Sequence, residues 1–311
     1  MEILIARHSG FCYGVKRAVD MVWDLVRQGN GPIHVLGNLI HNPTVVEELA
    51  KAGVRKVTRI EDAKAGILVI RSHGVPRQVI TEAKERGLTV IDTTCPNVKL
   101  THDIAQRLTE SGYQVIIVGD LGHAEVEGIL SYTDGRGIVV QEAKAIEENA
   151  ERLKGKKIGV LCQTTIQLDI LKQVVDALIG RARELMVHNT ICDVTSKRQA
   201  STLELARAVD VMLIVGGHES ANTARLAEIS SLVGVPTHKV ESAADLDPSW
   251  FRRDVITQNT QPGHISDTGR ARNEMRVGLA AGASTPSEII DKVKATLHSW
   301  EAMGVLDHTK A

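Results

Sequence analysis

The sequence predicts an α/β fold made of three similar parallel-sheet units. Three observations carry this expectation. Short apolar, β-branched runs alternate with helical patterns along the chain, as in parallel sheets covered by helices. Cys12, Cys95 and Cys192 each follow an apolar run and precede a helix-like segment. Each is then followed after 24 or 25 residues by a glycine that ends another apolar run. Gly37 lies 25 residues after Cys12, Gly119 lies 24 after Cys95, and Gly216 lies 24 after Cys192.

The runs that read as strands are 3–6, 33–36, 67–70, 89–91, 115–118, 138–140, 157–161, 211–215 and 276–280. Most are short and rich in Val, Ile and Leu, which suits strands buried on both faces. Helical patterns fill 15–28, 44–52, 77–86, 98–111, 168–182, 196–209, 223–233 and 286–300. Two of these helices carry start signals. Asn42-Pro43 and Thr285-Pro286 pair a cap residue with proline at the first helical position, and Glu288 completes a capping box for the second.

The matched glycines open polar segments, GNLIHN, GDLGHAE and GGHESAN. A second polar strand end follows in each third: Ser72-His73-Gly74, Gln163-Thr164-Thr165 and Gly282-Ala283-Ser284. The expected division is a first unit over 13–96, a second over 97–193 and a third over 194–311. The strand within 1–12 is expected to pack on the third. Ligands of parallel α/β sheets bind beyond the carboxyl ends of strands. Three units with those ends turned inward would surround one cavity with three thiols and six polar loops. Residues 252–276 break the pattern: they carry five arginines with Gly, Pro and Asn, and read as an inserted polar loop.

Composition narrows the function. A chain of 311 residues supports two or three real cores. Its 43% hydrophobic and 24% charged residues are those of a soluble globular protein. A formal net charge of −1 supplies no basic field for nucleic acid or membrane, so an anionic ligand must be held by local groups. The first residues do not form a signal peptide and no apolar stretch is long enough to span a bilayer, so a cytoplasmic location is expected. The four cysteines, Cys12, Cys95, Cys162 and Cys192, form no compact framework. That favours reduced or metal-bound thiols over disulfides.

A cysteine at a helix N-terminus tends toward thiolate, the form that binds metal. Three such thiols, none in a C-x-x-C pair, suit an iron–sulfur cluster or a zinc site with one open position. The plainer alternative is three buried core cysteines. Cys162 is out of phase with the others and reads as a packing residue. His41, His73 and His123 each sit just past a strand end, where imidazole can donate to an anion or handle a proton. Thr164, Ser220, Asn222 and Ser284 are short donors at or near helix starts. Each alone is as readily an N-cap, but with the backbone N–H groups of those helix ends they are expected to form a diphosphate cradle. Glu125 and Glu127 follow His123 in GHAEVEG. Either could deliver protons to a substrate, or both could merely enrich a first helical turn. His123-Ala124-Glu125 matches the H-x-E of zinc deaminases, but their C-x-x-C is absent. No G-x-G-x-x-G follows the first strand and no complete phosphate loop occurs, so bound NAD or ATP is not expected.

The stretches Gly10-Phe11-Cys12-Tyr13-Gly14-Val15, His41-Asn42, Ser72-His73-Gly74-Val75 and Asp92-Thr93-Thr94-Cys95-Pro96 form an ordered series. It continues with Gly122-His123-Ala124-Glu125-Val126-Glu127-Gly128, Gln163-Thr164-Thr165, Ile191-Cys192, Ser220-Ala221-Asn222-Thr223 and Ala281-Gly282-Ala283-Ser284. In this order, across nearly the whole chain, the series resembles the 4-hydroxy-3-methylbut-2-enyl diphosphate reductase family, which closes the non-mevalonate isoprenoid route. The resemblance implies one [4Fe–4S] cluster on Cys12, Cys95 and Cys192, with its fourth iron open to the substrate's hydroxyl, at the centre of a three-lobed fold. It implies that His41, His73, His123, Ser220, Asn222 and Ser284 hold the diphosphate, that Thr164 positions the hydroxyl and that Glu125 relays protons. The implied reaction is reductive dehydroxylation to isopentenyl and dimethylallyl diphosphate, with single electrons from ferredoxin or flavodoxin. Ala221 stands where a second serine is often found, so only its backbone N–H is left as a donor there. The polar insertion is also longer than expected. Two other readings compete: a [4Fe–4S] hydro-lyase, which needs no electron donor, and a non-catalytic iron–sulfur redox sensor, which needs no phosphate-lined cavity.

Overall fold

The computed structural model describes residues 1–252 and 275–306. Its strands form three four-stranded sheets in which every pairing is parallel. Strands are numbered in chain order. One sheet contains β2 (Ile33–Leu36), β3 (Val54–Val57), β4 (Ile67–Ile70) and β5 (Thr89–Asp92), in the order β3-β2-β4-β5. A second contains β6 (Gln114–Val118), β7 (Ile138–Val140), β8 (Lys157–Cys162) and β9 (Glu184–Val187), in the order β7-β6-β8-β9. The third contains β10 (Val211–Val215), β11 (Thr237–Val240) and β12 (Arg276–Ala281), and β1 (Glu2–Ile5) completes it in the order β11-β10-β12-β1. The path is therefore the same three times, and the fourth strand of the third sheet comes from the other end of the chain. The α/β class and its three parallel sheets are those expected from the sequence.

The helices are α1 (Tyr13–Gln28), α2 (Pro43–Lys51), α3 (Arg77–Glu85), α4 (Pro96–Glu110), α5 (Ala124–Leu130) and α6 (Lys144–Glu148). They continue with α7 (Ala150–Leu153), α8 (Leu168–Ile179), α9 (Asp193–Ala206), α10 (Ala221–Leu232) and α11 (Ser287–Ala302). None of the described helices is long and apolar enough to cross a membrane. The chain divides into two compact units. Met1–Cys12, His41–Pro43 and Asp193–Ala311 form one, with the third sheet, while Tyr13–Ile40 and Thr44–Cys192 form the other, with the first two.

The inner strands were legible because they are covered on both faces. β4 and β10 are buried at every residue, and β8 at every residue but its first. Val293 and Leu297 of α11 pack fully buried against Val277 and Leu279 of β12, each such side chain contributing roughly 1.5–3 kcal/mol. Two sheet-edge strands, β3 and β11, were not anticipated. Their sequences, VRKV and THKV, leave exposed or half-exposed residues that blur the apolar run. A third edge strand, β9, covers the start of the apolar run that precedes Cys192. Helix α9 begins at Asp193 rather than 196, so Cys192 abuts its first turn, where Asp193 favours the helix N-terminus. The capping box expected for the last helix is not formed. Pro286 is the N-cap and makes no side-chain bond there, while the Thr285 hydroxyl donates instead to the Val215 carbonyl at 3.0 Å. That carbonyl lies at the buried end of β10 and accepts the Gly282 N–H as well at 2.8 Å, so the hydroxyl serves the strand end rather than the helix. Of the polar insertion, residues 253–274 lie outside the described residues.

Each of the three cysteines follows the fourth strand of a sheet and directly precedes a helix. Cys95 stands between β5 and α4, Cys192 between β9 and α9, and Cys12 between β1 and α1. The sequence period begins at a cysteine, whereas each sheet finishes at one.

Candidate active site

In the unit holding the first two sheets, the loops after β6 and β8 meet at Glu125. His123 is the N-cap of α5, and its Nδ1 accepts the Glu125 N–H at 3.2 Å. Only an unprotonated nitrogen can accept that bond, so the proton of the neutral ring sits on Nε2. Thr164 grips the Glu125 carboxylate twice. Its backbone N–H donates to Oε1 at 2.6 Å and its hydroxyl donates to Oε2 at 2.9 Å. Glu125 is only 2% exposed. Burial pushes its carboxyl up to about 7; the Thr164 bonds oppose this and Asp120 adds to it. Glu127, one position beyond the next residue, is exposed. The chemistry open to the two glutamates therefore differs sharply, although the sequence alone left them equivalent.

Gln163, fully buried, ties the two loops together. Its Oε1 accepts the Asp120 N–H at 2.9 Å and its Nε2 donates to the Thr165 hydroxyl at 2.9 Å. A Cβ at Gly119 would lie 2.7 Å from Val126 Cγ2 and 3.0 Å from Gln163 Oε1, so close approach requires glycine there. The His73 ring meets that of His123 edge-on, with centroids 5.9 Å apart. Behind them lies His102 of α4, a residue not singled out from the sequence. It is buried, stacked on Tyr132 at 4.6 Å, and pushed down to about 4 by burial. A Cβ at Gly74 would come within 2.9 Å of its ring, and one at Gly128 within 3.0 Å. This neutral imidazole thus spaces the His73 loop from the helix that carries Glu125. Only its place on the buried face of α4 could have marked it.

The same unit holds two thiols. Cys95 is the N-cap of α4, and its N–H donates to the Ser72 carbonyl at 2.9 Å. Its Sγ lies where a side chain at Gly14 would be, 2.5 Å from an ideal Cβ. The Cys192 N–H donates to the Thr164 carbonyl at 3.0 Å, and its Sγ accepts the Asn97 side-chain amide at 3.1 Å. Asn97 lies in the first turn of the helix that Cys95 opens, so Cys192 is brought to that turn. Thr164 is bonded to Glu125 on one side and to Cys192 on the other. Cys162 is fully buried in the core, where burial pushes its thiol up, and its sulfur accepts the Thr190 hydroxyl at 3.3 Å.

In the other unit, the Cys12 N–H donates to the Ala283 carbonyl at 3.1 Å, next to Ser284. Arg198 of α9, 2% exposed, clamps both flanks: Nη1 donates to the Ala281 carbonyl at 2.6 Å and Nη2 to the Gly10 carbonyl at 2.9 Å. Ser220 caps α10 by accepting the Thr223 N–H at 3.2 Å, and Ala221 is the first residue of that helix. Ser220, Asn222 and Ser284 are all buried. The strand ends close on the first turn of α10, since a Cβ at Gly216 or Gly282 would lie 2.5 or 2.3 Å from Thr223 Oγ1. The His41 carbonyl lies 2.5 Å from where a Cβ at Gly217 would be. The Asn222 Nδ2 is buried with no hydrogen-bond partner among the described residues. A buried donor left open at a helix N-terminus is what an anion would satisfy. Among the described residues no three His, Cys, Asp or Glu side chains are arranged to hold a metal ion.

Comparison with known proteins gives a consistent result. A family model described as LytB protein matches residues 3–298. The chain is 41% identical over 294 residues to a protein of Geobacter metallireducens named 4-hydroxy-3-methylbut-2-enyl diphosphate reductase, covering 94% of this chain and 95% of that one. It is 40% identical over 300 residues to a protein of the same name from Aquifex aeolicus, covering 96% of both. Among solved structures, one of (E)-4-hydroxy-3-methyl-but-2-enyl diphosphate reductase, the terminal enzyme of the non-mevalonate pathway, is 39% identical. It superposes with a TM-score of 0.66 over 96% of this chain and 100% of that one. The E-1-hydroxy-2-methyl-but-2-enyl-4-diphosphate reductase of Plasmodium falciparum is 25% identical, with a TM-score of 0.80 over 99% of this chain and 90% of that one.

Proposed function

This chain belongs to the LytB protein family, and on that premise we propose that it is a 4-hydroxy-3-methylbut-2-enyl diphosphate reductase, yielding isopentenyl and dimethylallyl diphosphate. The observation that carries the reading is the Glu125–Thr164–Cys192 arrangement, in which one threonine is bonded to a buried carboxyl and to the backbone of a thiol residue.

Cys12, Cys95 and Cys192 would hold a [4Fe–4S] cluster, one from the end of each sheet. Two features support the fit. Cys95 Sγ occupies space that any side chain at position 14 would fill, and Cys192 Sγ receives an amide hydrogen bond of the outer-shell kind that orients metal ligands. When bound, the cluster supplies single electrons and a Lewis-acidic iron, which no side chain of the chain can provide.

The rest follows from the chain's own groups. A carboxyl near 7 is partly protonated at neutral pH, so Glu125 can both give a proton and regain one. Glu125 is fully buried, and Thr164 is its neighbour on the loop after β8. With Glu125 ionised, the Thr164 hydroxyl donates to it. With Glu125 protonated, that bond reverses and Thr164 is free to pass its own proton outward, toward the substrate's hydroxyl. The leaving oxygen then departs as water, with two protons and two electrons consumed per turnover.

His41, His73, His123, Ser220, Asn222, Ser284 and the Ala221 N–H would hold the diphosphate. The Nε2–H of His123 suits this, being a neutral donor. The reading extends to a ferredoxin or flavodoxin as electron donor, a cytoplasmic location, and functional units at 13–96, 97–193 and 194–311, the last with the strand in 1–12 packed on it.

The test is turnover of anaerobically prepared, iron-loaded protein with the hydroxylated diphosphate and a one-electron reductant. Both isoprenoid products are expected, and Glu125→Gln should keep its iron while losing turnover at least about a hundredfold. Loaded protein that forms no product, or that transforms the substrate without reductant, would refute the proposal; the latter result is that of a hydro-lyase.

A further inference from the structure

We infer that Asn97 sets the reduction potential of the iron–sulfur centre by hydrogen-bonding the sulfur of Cys192; this rests on the cluster reading above. Asn97 occupies the second position of α4, after the Cys95 cap and Pro96. Asparagine is a poor helix former, and the cap of α4 carries no side-chain hydrogen bond, so Asn97 is not there to build the helix. Its side chain instead reaches across 95 positions of sequence to donate to Cys192 Sγ at 3.1 Å. The backbone of Cys192 is independently fixed by its N–H bond to the Thr164 carbonyl. The sulfur is therefore held in place on one side and receives a donor on the other.

The consequence is electrostatic. A donated N–H draws electron density from a ligating sulfur and so stabilises the more negative, reduced centre. Asn97 is exposed and Cys192 half-buried, so the bond sits at the solvent edge of the site and can be removed without opening the core. The side-chain contact of Asn97 toward the centre is with Cys192 Sγ. Asn97 is a positioning residue that acts through Cys192.

The experiment is an EPR-monitored reductive titration of anaerobically loaded protein, comparing Asn97→Leu and Asn97→Asp with the parent, with iron measured per chain. Leu removes the donor without adding charge; Asp removes it and places an anion beside the sulfur. The midpoint is expected to move to more negative potential in both. For Leu the shift should be about tenfold in the one-electron equilibrium, about 59 mV, and for Asp it should be larger. Iron content should match the parent. An unchanged midpoint in iron-replete Asn97→Leu would overturn the inference. Loss of iron from that variant would do so too, since it would show Asn97 holding the site together rather than tuning it. A parent protein that takes up no cluster would instead overturn the proposed function, and the tuning role with it.

Discussion

Glu125→Gln should stabilise the protein, and only on the alkaline side. In the folded state Glu125 is buried and its carboxyl is raised from 4.5 to about 7. The folded protein therefore keeps a proton that the unfolded chain releases between those values. Stability must fall as pH rises through this window, and the full loss is present above pH 7. At 1.36 kcal/mol per unit, the rise corresponds to about 3 kcal/mol. Glutamine has nearly the same shape and carries no charge. Its oxygen can still accept the Thr164 N–H, and its amide can donate to the Thr164 hydroxyl oxygen. The variant should thus match the parent below about pH 4.5 and exceed it by about 3 kcal/mol at pH 8.5. Urea denaturation of both proteins at pH 4.5 and pH 8.5, followed by far-UV circular dichroism, measures the difference, and the other titrating groups cancel between the two. A gap that is the same at both pH values would refute the claim that burial of an ionised Glu125 is what raises its carboxyl. Activity should run the opposite way, because the group that costs stability is the one proposed to move the proton.

Two further substitutions probe the thiol pair and the buried amide of α10. Gly14→Ala would put a methyl group 2.5 Å from Cys95 Sγ; iron bound per chain should fall by more than half with unchanged helical content, and full iron loading would contradict the close approach. Asn222→Ala removes a buried amide whose Nδ2 has no hydrogen-bond partner among the described residues. Binding of inorganic diphosphate, followed by calorimetry, should weaken about tenfold to a hundredfold, as expected for a hydrogen bond to a charged group, while the thermal midpoint holds or rises; unchanged affinity would remove Asn222 from the anion site.

What the sequence made legible was what lies close in the chain or is buried on both faces. The inner strands ILVI, VIIV and VMLIV announce themselves because parallel sheets bury both sides of a strand. The strand ends that carry His73, His123 and Thr164 were visible because polar residues stop those apolar runs abruptly. The edges VRKV and THKV were not, since half of each faces outward. Nor could periodicity reveal partners far apart in the chain. Asn97 meets Cys192, Arg198 meets Gly10, and His102 fills the gap between Gly74 and Gly128. Each of these residues looked like an ordinary helical position. The choice between Glu125 and Glu127 was likewise a matter of which way a helix turns toward Thr164, which a first-turn pair of glutamates does not disclose.

The third sheet is completed by β1, which pairs Glu2 with Arg276. During synthesis the ribosome delivers that edge first and its partner only some 270 residues later. At about 5–20 residues per second this interval is roughly 14–55 seconds. The two sheets in between need no such wait, because their strands follow one another directly. β1 and the thiol of Cys12 just beyond it thus spend the whole interval without a sheet to join. The long-range pairing also makes this unit the slower one to assemble, by the usual cost of distant contacts. A chain rearranged so that residues 1–12 followed α11 would make the third sheet as local as the others, and would bring its cysteine into being last instead of first.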